Sequence, residues 1–139
     1  MRGNAYRAKR DYDRAIADYD DAVKYGSSYV IAYSNRGLAL ADKNDFDRAI
    51  ADVDEALRLD PKYAWGHANR CEVLRKKRDF GAAIQACDRA IGLDPKLALA
   101  FANRGETHSD NEEYDRAIAD YTESIRLDPD YARAYNNRA

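Results

Sequence analysis

The sequence predicts an all-α solenoid of antiparallel helix pairs, with about nine helices in all. Three observations carry that expectation. Leu-Asp-Pro stands at 59–61, 93–95 and 127–129, an interval of 34 residues both times. The same interval relates Ala15-Ile16, Ala49-Ile50, Ala83-Ile84 and Ala117-Ile118, and also Asn35-Arg36, Asn69-Arg70, Asn103-Arg104 and Asn137-Arg138. Unrelated residue types therefore keep one period, which is the mark of stacked structural repeats. Within each period two apolar patterns run at helical spacing.

Taken in order, the register divides the chain into a truncated first unit at 1–29, full units at 30–63, 64–97 and 98–131, and a partial fifth at 132–139. Met1 stands at the sixth position of a unit, and the first unit closes on Tyr25-Gly26-Ser27 instead of Leu-Asp-Pro. In the unit from Ala64, the first helix is expected over Ala64–Lys77, with His67, Cys71 and Leu74 on one stripe. The second is expected over Phe80–Leu93, where Phe80, Ala83, Ile84, Cys87, Ala90 and Ile91 recur at helical spacing. Asp11, Asp45, Asp79 and Glu113 precede the second helices and can accept from their free N–H groups. Pro61, Pro95 and Pro129 end those helices, since proline lacks an N–H and restrains the residue before it. Gly37, Cys71 and Gly105, with Ala49, Ala83 and Ala117, let paired helices approach closely.

This pattern resembles the tetratricopeptide repeat, TPR. The small residues at 37, 71 and 105, the aromatics Phe46, Phe80 and Tyr114, the alanines 49, 83 and 117 and the three prolines match its 34-residue unit. Two departures are Arg36, Arg70 and Arg104 in place of the usual leucine, and Ser124 in place of alanine. The resemblance implies a right-handed superhelix whose first helices line a concave face, and a protein-interaction role.

Composition agrees with that class and excludes others. At 45% apolar and 35% charged residues the chain is too apolar for disorder and too charged for a membrane span. No run approaches the roughly 20 apolar residues of a transmembrane helix. The net charge of -2 and interspersed signs predict neither nucleic-acid nor membrane binding. Met1-Arg2-Gly3-Asn4 opens no signal peptide, so a cytoplasmic location is expected. Cys71 and Cys87 have no metal or redox spacing and read as two small core residues in a reducing compartment, although a disulfide between them is possible. His67 and His108 fall on core stripes, which predicts packed or half-buried histidines. No phosphate loop or catalytic triad is present, so neither an enzyme activity nor a cofactor or metal is expected.

The binding residues are expected on the outer stripe of the first helices. Counting i, i+4, i+7, i+11 selects Ile31, Asn35 and Leu38, then Trp65, Asn69 and Lys76, then Leu99 and Asn103, with Asn137 continuing the row. A primary amide can donate and accept, which matches a peptide main chain. First helices about 8–10 Å apart would meet every third residue of an extended segment. The four asparagines would thus grip a main chain, similar to the asparagine ladders of TPR superhelices. The competing reading has them bond neighbouring helices. Trp65 would anchor the partner or pack on its own turn, while Arg75 and Lys76 would receive an acidic group. Ser34, Ala68 and Ala102 stand where TPR receptors for acidic chaperone tails carry lysines, so that partner is not expected.

Arg2, Arg36, Arg70, Arg104 and Arg138 form a second row, expected to bury their stems and pair with acids. Arg48–Asp52 and Arg116–Asp120 have the spacing of pairs along one helix face. Three functions are open to such a chain: a scaffold for an extended peptide, a self-assembling module joined head to tail through its incomplete end units as a homo-oligomer, or the recruiting part of a larger enzyme.

Overall fold

The computed structural model describes residues 11–25 and 29–130. Seven helices lie among them: α1 (Tyr12–Tyr25), α2 (Tyr29–Asp42), α3 (Phe46–Leu59), α4 (Ala64–Lys76), α5 (Phe80–Leu93), α6 (Ala98–Asp110) and α7 (Tyr114–Leu127). The count expected from sequence was about nine. The other two helices expected from sequence would fall on 1–10 and 131–139, which lie outside the described residues, as do Arg2, Asn137 and Arg138.

Each first helix packs on the second helix of its own pair, as α2 on α3, α4 on α5 and α6 on α7. Small residues make these crossings tight. A Cβ built on Gly37 would lie 2.7 Å from Val53 Cγ1, and one on Gly105 would lie 3.0 Å from Tyr121 Cδ1. The core is therefore a file of alanines and short side chains between helices: Ala49, Val53, Ala68, Ala83, Ala90 and Ala100 are all fully buried.

One turn geometry joins every such pair. Asp45 N bonds Leu40 O while Asn44 N bonds Ala41 O, and the same two bonds recur from Asp79 and Arg78 and from Glu113 and Glu112. This double closure ends a helix with a left-handed residue, here Asn44, Arg78 and Glu112 at φ of 65°, 70° and 62°. No glycine marks these turns, which is why composition did not announce them.

The caps follow the sequence only in part. Asp79 accepts from Ala82 N and Asp11 from Arg14 N. Asp45 and Glu113 make no side-chain cap and turn to Arg48 and Arg116 instead. Asp60 and Asp94 have a role of their own: each accepts from the N–H two residues on, Lys62 or Lys96, and so shapes the Asp-Pro turn.

The arginine row is paired across helices. Arg36 holds Asp52 with two bonds of 2.6 and 2.8 Å and Asp20 at 2.9 Å; Arg104 holds Asp120 at 2.9 and 2.8 Å and Asp88 at 2.9 Å. Each of these two arginines thus reaches 16 residues forward within its pair and 16 back into the preceding pair. Hydrogen bonds to Asp52 and Asp120 hold the two guanidiniums above the ordinary arginine range. Asp52 and Asp120 therefore serve Arg36 and Arg104 instead of Arg48 and Arg116 on their own helices. Arg70 bonds only backward, to Asp54 at 2.8 Å, because residue 86 is alanine.

Cys71 and Cys87 are not free core thiols as expected: they form a disulfide between α4 and α5. The 16-residue separation spans the hairpin and brings the two Cα atoms to 5.3 Å, within bonding reach.

Candidate functional site

The first helices touch one another in succession, α2 with α4 and α4 with α6, and the second helices make no comparable contact among the described residues. The stack therefore closes on the first-helix side, and the outer stripe of α2, α4 and α6 is the face on which the expected binding residues should meet.

The structure divides those residues into two groups. Ile31 and Trp65 hold corresponding positions at the starts of α2 and α4 and stand open, 42% and 48% exposed. Leu38 and Leu99 do not form a groove floor; both are buried, Leu38 beside Leu40 and Val53 and Leu99 beside Ala68 and Leu97.

The asparagines lie deeper than a gripping ladder requires. Asn69 is 4% exposed and donates to Ser34 Oγ at 2.7 Å. Asn103 is 0% exposed and donates to Ala68 O at 3.0 Å, while its Oδ1 has no partner. Both Nδ2 groups thus tie one first helix to the one before it. Asn35 is half-buried.

Arg75 and Lys76 are likewise engaged. Arg75 spans to α6, 3.1 Å from Asp110 and 3.5 Å from Glu106. Lys76 reaches back to Asp42 on α2 and lies 3.8 Å from Glu72. Four carboxylates therefore surround two cations at the C-terminal ends of the first helices, leaving a net negative charge there. Burial, aided by the charges of Glu72 and Asp110, raises the Glu106 carboxyl above its usual range. Burial first, then Glu106 and Asp110, pushes the Tyr121 phenol up to about 12. This weave of ions was not read from the sequence; its signal was the recurrence of Asp42, Lys76 and Asp110 at one unit position.

The histidines are structural in their surroundings. His67 Nε2 lies 2.9 Å from Pro61 O, and buried His108 sits between Glu113 and Asp120 at 3.3 and 3.7 Å. Among the described residues no group of three or more potential ligands could hold a metal ion, and no helix is long and apolar enough to cross a membrane.

Known proteins place this geometry. Three family models described as tetratricopeptide repeat match residues 1–64, 72–97 and 98–131. The structure is similar to that of MamA, with 28% identity, a TM-score of 0.68 and coverage of 96% of this chain and 78% of that one. It is similar to the second TPR of Spaghetti (RPAP3), bound to the HSP90 peptide SRMEEVD, with 26% identity, a TM-score of 0.64 and coverage of 72% and 93%. The TPR protein YrrB shares the fold at 20% identity, with a TM-score of 0.70 and coverage of 99% and 71%. Curated protein sequences give no match.

Proposed function

The chain belongs to the tetratricopeptide repeat family, and from that premise we propose that it is a protein-interaction scaffold holding an extended peptide against its first-helix face. The observation that carries this reading is the open pair Ile31 and Trp65, at corresponding positions of adjacent first helices. Large exposed apolar side chains are what an interface anchors on, and the helix spacing of about 8–10 Å suits apolar side chains three residues apart on an extended segment of polyproline-II type, which turns every third side chain to one side. The charge balance favours a partner that is not an acidic tail. Ser34, Ala68 and Ala102, which stand where a lysine clamp for such a tail would be useful, are buried in the seam between helices, and Arg75 and Lys76 are already engaged by Glu106, Asp110, Asp42 and Glu72.

The test is capture of a binding segment with the whole chain, followed by titration calorimetry of that segment as a synthetic peptide. Trp65→Ala is expected to weaken it about tenfold or more without shifting the melting temperature, because the side chain is half-exposed. Equal affinity for the variant would refute the anchor. Asn69→Ala belongs to the stability controls, since its amide bonds Ser34.

A second reading, self-assembly, is favoured by one observation. On α7, Tyr114, Ile118 and Ile125 are exposed, Ile118 at 62%, whereas their counterparts Phe46, Ile50 and Leu57 are half-covered under the following pair. A second chain stacking there would bury the same face. Concentration-dependent mass in light scattering, abolished by Ile118→Glu, is the expected result; a constant monomer mass would remove this reading.

A further inference from the structure

We infer that the Cys71–Cys87 disulfide is the device that closes the third helix pair, so that reduction loosens the module at its centre. The neighbouring pairs define how much room the crossing has. Val53 and Tyr121 each face a glycine, and a Cβ on Gly37 or Gly105 would collide at 2.7 or 3.0 Å. That crossing admits one side chain. The third pair places two there, Cys71 and Cys87, both 0% exposed, and they fit because their sulfurs are bonded.

A second observation points the same way. The second and fourth pairs are clamped by Arg36–Asp52 and Arg104–Asp120, 16 residues apart. In the third pair the position facing Arg70 is Ala86, and the disulfide spans the same 16 residues one position further on. The pair lacking the ionic cross-link is the pair carrying the covalent one.

Reduction by a dithiol transfers two electrons and two protons. The Sγ–Sγ bond breaks, Cys71 and Cys87 become thiols, and the reductant leaves as its own disulfide. Unbonded heavy atoms then need a separation of roughly 3.5–4 Å, and the site has no slack: Leu74, Ala83 and Ala86 pack around it and Thr107 Oγ1 lies 3.8 Å from Cys71 Sγ. Helices α4 and α5 must move apart. Helix α4 carries Trp65 and bonds both neighbours through Asn69, Arg75 and Lys76, so that movement reaches the whole first-helix face. Because the sulfurs are buried, the exchange proceeds through local opening of the pair.

The chain has two cysteines, so a reductant acts on one bond. Thermal unfolding of the oxidised chain is compared with that of the chain reduced by a dithiol, with thiol state verified by alkylation and mass. A fall in Tm of roughly 10 °C is expected from opening a loop of this length. The variant C71G/C87V copies the Gly37/Val53 pair and should melt alike with and without reductant. An unchanged Tm after verified reduction overturns the inference, as does the finding of two free thiols in the air-oxidised chain. Melting needs no peptide, so the proposed groove can fail while this stands, and the reverse.

Discussion

Asp120→Ala is expected to lower unfolding stability by about 2–3 kcal/mol, measured by urea denaturation at neutral pH. Asp120 is buried and accepts both arms of Arg104, so truncation strands a partly buried guanidinium that keeps only Asp88, an exposed partner. His108 Nε2, 3.7 Å away, loses its neighbour as well. Arg70→Ala is the control. That arginine holds only Asp54, half in solvent, and exposed pairs contribute about 0–1 kcal/mol. Equal losses for the two variants would mean that the cross-pair clamps contribute no more than surface ion pairs.

Gly37→Ala is expected to cost about 2 kcal/mol, although alanine favours a helix over glycine by about 1 kcal/mol. The added methyl would meet Val53 Cγ1 at 2.7 Å and the Ala49 carbonyl oxygen at 3.0 Å. The valine can shift, but the backbone oxygen cannot without opening α2 from α3. Gly81 sits in a helix with nothing within 4 Å of a built Cβ, so Gly81→Ala should stabilise by a few tenths to about 1 kcal/mol. Opposite signs from one chemical change would separate close approach from helix propensity; a stabilised Gly37→Ala would show that the crossing has room to spare.

Much of the architecture was legible because it is periodic. The interval of 34 placed α4 within a residue of its observed end and placed α5 at both ends. The acidic partners of the arginine row were expected in kind, and Arg36 and Arg104 have them. Trp65 stands open on the predicted stripe. The left-handed turns at Arg78 and Glu112 were hidden because the residues themselves do not favour that conformation; the double closure of the preceding helix imposes it.

By itself the sequence determined the repeat, the helix pairs, the small-residue crossings and the stripe of the first helices on which to look for contacts. Tertiary structure alone decided which way the residues at the edge of that stripe turned. Helical counting sets an azimuth, and an asparagine between seam and groove can satisfy either. The approach of α4 to α2 and of α6 to α4 took Asn69 and Asn103 into the seam, where burial rewards an amide that finds Ser34 or the Ala68 carbonyl. The same holds at separations of 16 residues. Whether Asp52 serves Arg48 or Arg36, and whether two cysteines remain thiols, depends on how a hairpin brings two helices together, which no pattern along one helix encodes.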